Sequence, residues 1–303
     1  MKAIIVHRYG GPEELKLEEY RDPAPGAGQV LVRAAATSVN PIDVMRRSGV
    51  AKDFAPIRFP GIVGVDVSGT VIQLGPGVKG FSVGAKVLGM ADQTYAELCA
   101  VSASSLIEVP AGLDLVDSAA LPLVTTAGNQ LISSGTGIGP GQTVLVTGAA
   151  GNVGRSAVFT AKERGAVVIA GVRKNQLDEA AHLGADKVIA LDDDREIAGL
   201  PQLDAVADAV DGETAQQLIG KVKPGGVFAS LLGPPQNAGS YPSVRVVPII
   251  AEPDAKVLRH MAQAVLTGRL TIPIGRRLPL GDADKAHAAL AKGMAGKLLL
   301  VSP

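Results

Sequence analysis

From Thr143 onward, apolar runs of strand length alternate with helix-compatible segments, and few architectures accept that alternation. Parallel strands need crossover connections, so the pattern reads as a parallel sheet with helices on its faces. The strand candidates are Thr143 to Thr147, Ala166 to Val172, Lys187 to Ala190, Ala205 to Ala209, Val227 to Leu231 and Val244 to Ile249. Six such runs complete a doubly wound domain of the α/β class, and Pro224-Gly225 reads as a two-residue turn into the fifth.

Before about Pro122 the texture differs: short β-rich runs, such as Val30-Leu31-Val32-Arg33 and Val63 to Ile72, are separated by Gly and Pro turns. This part reads as an irregular, mostly β lobe. With 303 residues, 47% of them apolar and 19% charged, the chain has material for two lobes with ordinary cores and does not read as disordered. Lys plus Arg and Asp plus Glu both number 29, so no global field favours nucleic acid or an anionic membrane, and an anion must be met by a local set of donors. The one cysteine, Cys99, excludes an internal disulfide and a cysteine-rich metal site and fits a reducing, cytoplasmic setting. The opening Met1-Lys2-Ala3-Ile4-Ile5-Val6-His7-Arg8 is too briefly apolar for a signal peptide and reads as a first strand. No apolar stretch approaches the ~20 residues that span a bilayer. Asp254 to Thr267 reads as a helix, and Gly296 to Val301 as a strand that rejoins the first lobe.

Val144-Leu145-Val146-Thr147 runs into Gly148-Ala149-Ala150-Gly151-Asn152-Val153-Gly154, and Arg155 to Lys162 is helix-compatible: strand, glycine turn, helix. Ala149, Gly151 and Gly154 stand at the three positions of the G-x-G-x-x-G/A spacing, with Ala in the first. Gly151 lets backbone approach a pyrophosphate, Gly154 lets helix and strand pack closely, and free amides at the helix start receive the phosphates. The next strand ends in Gly171-Val172-Arg173-Lys174, where an NAD enzyme would present Asp or Glu to the ribose 2′-hydroxyl. Two cations and no carboxylate favour a 2′-phosphate, hence NADPH; the plainer alternative makes Arg173 and Lys174 solvated charges at a strand end.

Further motifs follow one another along nearly the whole chain. They are Tyr9-Gly10-Gly11-Pro12-Glu13, Val39-Asn40-Pro41-Ile42-Asp43, Gly61 to Val71, Leu74 to Val78, Thr94-Tyr95-Ala96-Glu97, Ala119 to Leu123, Pro140 to Val146, Leu183-Gly184-Ala185-Asp186 and Gly296-Lys297. In these the sequence resembles the zinc-independent quinone oxidoreductase branch of the medium-chain dehydrogenase/reductase superfamily, including ζ-crystallin-like proteins. The resemblance implies a discontinuous, mostly β, GroES-like catalytic domain at 1–118 and 256–303, and a Rossmann NADP-binding domain at 119–255. Cofactor contacts are expected at Gly148, Ala149, Ala150, Gly151, Asn152, Val153, Gly154, Gly171, Arg173, Lys174, Val210, Leu232 and Gly233. Homodimers that pair sixth strands edge to edge, around Val244 to Val247, are also implied, though a loop could equally cover that edge. Zinc-dependent relatives place Cys near the present Asn40 and Gly-His-Glu where this chain has Gly64-Val65-Asp66, and their structural site needs clustered cysteines. Neither ligand set is here, and the four histidines, His7, His182, His260 and His287, are scattered, so no metal is expected.

Without a metal or an obvious acid–base pair, the chemistry rests on positioning a hydride donor against an electron-poor carbon, which suits quinones and α,β-unsaturated carbonyls. Negative charge then builds on the carbonyl oxygen, and a nearby donor lowers the barrier. Asn40 and Thr126, at matching family positions, are the expected catalytic polar groups; the alternative is that Asn40 caps the turn before Pro41 and that Thr126 caps or packs at a helix. Tyrosines common after the Asn-x-x-Asp motif in bacterial relatives are replaced by Met45 and Ala51, and the aromatic after the Thr-Ala pair by Gly128. Phe54, Phe59 and Tyr95 either line the pocket or pack the core. Of the motif carboxylates Asp43, Asp66 and Glu97, Asp66 sits in an apolar run and reads as structural, as Cys99 reads as packing. The expected activity is NADPH-dependent reduction of a small-molecule quinone or enone. The alternative is a dinucleotide-binding redox sensor or structural protein of the same fold.

Overall fold

The computed structural model describes the whole chain, Met1–Pro303. Its elements run β1 Lys2–Val6, β2 Lys16–Glu19, β3 Gln29–Val39, α1 Pro41–Ser48, β4 Gly61–Ile62, β5 Asp66–Leu74, β6 Lys86–Met90, β7 Leu98–Ser102 and β8 Leu106–Glu108. Then come α2 Pro122–Gln130, β9 Thr143–Thr147, α3 Asn152–Glu163, β10 Val167–Val172, α4 Leu177–Ala180, β11 Lys187–Ala190, α5 Asp194–Ala198, β12 Leu203–Asp208, α6 Gly212–Ile219, β13 Val222–Ser230 and β14 Arg245–Pro248. The chain finishes with α7 Ala255–Leu266, β15 Ile274–Pro279, α8 Ala283–Ala291 and β16 Lys297–Val301. None of its helices is long and apolar enough to cross a membrane.

Two compact units result: Met1–Leu123 with Pro253–Pro303, and Val124–Glu252. The first is mostly β. A three-stranded sheet has the order β2-β1-β4, and a seven-stranded sheet runs β15-β16-β3-β5-β6-β8 with β7 paired to β3. Strand β3 organises this unit, because its early residues pair with both β5 and β7 and its last four, Ala36 to Val39, pair antiparallel with β16. The GroES-like lobe is therefore closed by residues from the far end of the chain.

The second unit is a parallel sheet of six strands in the order β11-β10-β9-β12-β13-β14, the doubly wound arrangement. Its central strands are mostly apolar, as suits a sheet covered on both faces. In β9, Val144 and Val146 join one core with Ala157, Val158 and Ala161 of α3. Leu145 points the other way and packs with Ile169, Val206, Phe228 and Leu218.

The compact units part after Leu123 and before Pro253, a few residues from the 118/119 and 255/256 boundaries that the resemblance implies. The 3-10 turn Asp117–Ala120 packs on β3, β5 and β16, and the Leu123 amide donates to Asp66 Oδ1 at 2.8 Å, which holds this segment in the first unit. At the other end, Asp254 caps α7 by accepting from the Lys256 and Val257 amides at 2.9 Å each, so it belongs with that helix. Pro224-Gly225 is not a turn ahead of the fifth strand but lies inside β13, where the register against β12 shifts between Leu203 and Ala205. Gly225 takes a φ of +79° there and donates to the Ser243 carbonyl at 2.7 Å.

Candidate active site

The glycine turn between β9 and α3 forms the floor of an anion cradle. Its left-handed residue is Gly148, φ +59°, one position before Ala149, so the missing first glycine of the fingerprint costs the turn nothing. The Ala149 amide donates to the Gly171 carbonyl at 3.1 Å and the Gly151 amide to Gly148 at 2.8 Å. A Cβ on Gly154 would collide with the backbone of Gly148 and Ala149, so α3 lies directly on the turn. The first turn of α3 holds no acidic residue, and its leading amides, at Asn152, Val153 and Gly154, have no acceptor within the helix. Such a terminus attracts phosphate.

An open cleft of about 470 Å³ adjoins this turn, lined by Gly148, Gly151, Val172, Arg173, Leu191, Asp192 and Val210, with Gln176, Asp211 and Thr214. Of the two cations at the end of β10, Arg173 lines the cleft and Lys174 does not; the Lys174 backbone amide donates to Asp192 Oδ1 at 2.8 Å. The expectation of a carboxylate-free cleft is thereby corrected. Asp192 arrives from the end of the neighbouring strand β11, which only the parallel pairing of β10 with β11 brings alongside. Gly171 is tightly packed, since a Cβ would strike Leu191.

Sequence reasoning missed Asp208, which braces the loops over the cleft. The buried carboxylate accepts from Thr147 Oγ1 and Ser230 Oγ at 2.9 Å each, and from the Val210 and Asp211 amides at 3.3 Å each. Ser230 Oγ accepts in turn from the Leu232 amide at 3.0 Å, and Gly233 follows with φ +102°. A carboxylate closing an apolar strand was the available signal.

Thr126 lies on α2, buried, and its Oγ1 has no hydrogen-bond partner. Two residues on, a Cβ at Gly128 would strike the backbone of Val153 and Ala157, so close packing of α2 on α3 leaves no room for an aromatic there.

In the first unit, Asn40 is also buried, as the N-cap of α1. Its backbone amide donates to Asp43 Oδ2 at 2.9 Å. Its side chain is committed: Nδ2 donates to Asp66 Oδ2 at 2.8 Å, and Oδ1 accepts from Lys297 Nζ at 2.6 Å. Asn40 thus caps α1, as the alternative reading has it, and is in addition a member of a buried polar network. Asp66 has the structural role its apolar context suggested, taking Ser38 Oγ at 2.5 Å as well. The network extends through Asp43, whose Oδ2 accepts from the Tyr95 hydroxyl at 3.3 Å, to His287, whose Nε2 is 3.0 Å from the same hydroxyl. Burial pushes Asp43 up to about 7 and His287 down to about 3, and it lowers the Lys297 ammonium and the Arg47 guanidinium below their usual ranges. Burial likewise pushes the Cys99 thiol up to about 12, which fits packing rather than nucleophilic use. Tyr95 is core, Phe59 packs edge-on against Tyr9 at 4.8 Å, and Phe54 is 61% exposed rather than packed.

Comparisons with known proteins bear on this arrangement. Residues 26–111 match the alcohol dehydrogenase GroES-like domain family, and residues 183–300 match the zinc-binding dehydrogenase family. A quinone oxidoreductase structure from Coxiella burnetii is 30% identical, with 99% of each chain covered and a TM-score of 0.88. The chain belongs to the zinc-independent quinone oxidoreductase branch of the medium-chain dehydrogenase/reductase superfamily. The Escherichia coli quinone oxidoreductase complexed with NADPH is 26% identical over 99% of this chain and all of that one, with a TM-score of 0.87. A 2-haloacrylate reductase from Burkholderia sp is 32% identical over 75% of this chain and 72% of its own length. One matched family takes its description from zinc, but in this quinone oxidoreductase homologue no group of three or more His, Cys, Asp or Glu is placed to hold a metal ion.

Proposed function

We propose that the protein is an NADPH-dependent oxidoreductase that passes hydride to a quinone or an α,β-unsaturated carbonyl without zinc. The observation that carries this is the cradle: a glycine turn on which α3 rests, amide donors free of acidic neighbours, and Arg173 lining the adjoining cleft. These residues fit a dinucleotide phosphate. When bound, the reduced nicotinamide supplies the hydride. The chain's own contribution is to hold and to stabilise. Gly151, Asn152, Val153 and Gly154 present backbone to the pyrophosphate, Arg173 pairs with the 2′-phosphate with Lys174 beside it, and Asp208 keeps the loops at Val210 and Leu232 in place. Thr126, a buried hydroxyl with no internal partner, donates to the oxygen on which charge develops. Asn40 acts at the same reaction, with its amide orientation set from within its lobe.

The test is NADPH oxidation in the presence of quinone and enone panels, with Thr126→Val expected to lower kcat by about 10²-fold. Silence of the wild type across both panels refutes the activity. The strong bonds that Asn40 Oδ1 and one Nδ2 hydrogen make within the protein favour the second reading, a dinucleotide-binding sensor, and tight NADPH binding without turnover identifies it. We also propose a homodimer paired through the edge strand β14, beside which Ile250 is 79% exposed, and a cytoplasmic location in keeping with the single, buried cysteine.

A further inference from the structure

Lys297 is a buried lysine at the start of β16. Its ammonium donates to Asn40 Oδ1 at 2.6 Å and to the Val39 carbonyl at 3.3 Å, and stands 3.7 Å from Asp66 Oδ2. An ammonium carries only donors and a carboxylate only acceptors. The Asn40 amide between them therefore has one permitted orientation, oxygen toward Lys297 and nitrogen toward Asp66, where Nδ2 donates at 2.8 Å. The second N–H of that amide has only the Ser38 carbonyl and hydroxyl in reach, each at 3.4 Å, which makes it the least engaged donor of the group. Asp66 has a further task. Its other oxygen accepts from the Leu123 amide at 2.8 Å, and Leu123 lies in the first turn of α2, the helix that carries Thr126 one turn later.

We propose that the buried Lys297–Asp66 pair is a positioning device, orienting the Asn40 amide so that one N–H is left for a substrate oxygen while Asp66 also holds the Leu123 amide at the start of α2. This rests on the oxidoreductase reading above. Lys297 and Asp66 are positioning residues, for they act through Asn40 and α2. If the ammonium is removed, the Asn40 oxygen loses its donor and only the Nδ2 bond to Asp66 still fixes the amide, and when Asp66 is replaced as well nothing charged distinguishes its oxygen from its nitrogen.

The experiment compares Lys297→Met and the double variant Asp66→Asn/Lys297→Met in the full chain. The double variant buries no lone charge and folds even where the single one is crippled by an unpaired carboxylate. With saturating NADPH and a substrate that the wild type reduces, the loss is expected in kcat, by about tenfold or more, while the NADPH Kd stays within about twofold. A folded variant that keeps its kcat overturns the proposal. A second readout needs no turnover: the Asn40 side-chain NH2 resonances, followed by nitrogen-15 NMR, exchange with solvent at least about tenfold faster in Lys297→Met. If the wild type reduces no quinone or enone, the activity reading fails by itself, and unchanged Asn40 exchange in the variant still overturns the positioning role.

Discussion

Asp43 and His287 meet at one phenol, and burial shifts them in directions that oppose each other in the pH dependence of stability. The Asp43 carboxyl is raised from 3.8 to about 7, so the folded protein holds a proton that the unfolded chain has released. Its stabilising contribution is complete below 3.8 and is lost as pH rises toward 7. His287 is lowered from 6.5 to about 3, so the unfolded chain binds a proton that the folded one refuses. That contribution is complete above 6.5 and is lost as pH falls toward 3. Each slope is at most about 1.4 kcal/mol per pH unit, and between about pH 4.5 and about pH 6 they nearly cancel. Asp43→Asn preserves the shape that meets Asn40 and Tyr95 while removing one of the two titrations. The stability of the variant relative to wild type should then increase by about 2 kcal/mol across that interval as pH rises. Urea unfolding followed by circular dichroism at three pH values measures it, since the chain has no Trp to report by fluorescence. His287→Gln should give the opposite sign. A pH-independent difference for both variants would refute the assignment of opposed buried titrations.

Other outcomes follow from the dinucleotide cleft. Arg173→Ala should weaken NADPH by about 10- to 100-fold in calorimetry and leave NADH nearly unchanged, because only the 2′-phosphate loses its partner. Equal losses for both cofactors would remove Arg173 from that role. Asp192→Asn should tighten NADPH more than NADH, by a few-fold, as one negative charge leaves the cleft. Gly154→Ala should lower the thermal midpoint by several degrees and abolish binding of both dinucleotides, since its Cβ cannot be placed without moving the turn. A stable, binding-competent Gly154→Ala protein would contradict the packing of α3 on Gly148.

Much of the Rossmann sheet was legible because its strands are buried on both faces and bounded by turns, so Thr143–Thr147 and Lys187–Ala190 were read to their ends. Helix α7, expected over Asp254 to Thr267, runs from Ala255 to Leu266, with Asp254 as its cap. What escaped was long-range. The Pro224-Gly225 bulge depends on the register of β13 against β12, and register is not written in either strand alone. Asp192 enters the cleft by lateral pairing, and Asp208 acts through backbone amides that its own loop folds back upon it. Lys297 belonged to a recognisable motif, but its partner Asn40 lies 257 positions away, and no local pattern announces that contact.

The pairing of β16 with the end of β3 imposes an order on biosynthesis. The dinucleotide unit is one uninterrupted stretch, Val124–Glu252, and all of it leaves the ribosome before β16 is made. The β unit, started first, must keep the flank of Ala36 to Val39 open until Val301 emerges to cover it. A nascent chain stalled between these two points would thus carry the whole nucleotide unit beside an unpaired, aggregation-prone strand edge, the kind of surface on which a chaperone acts.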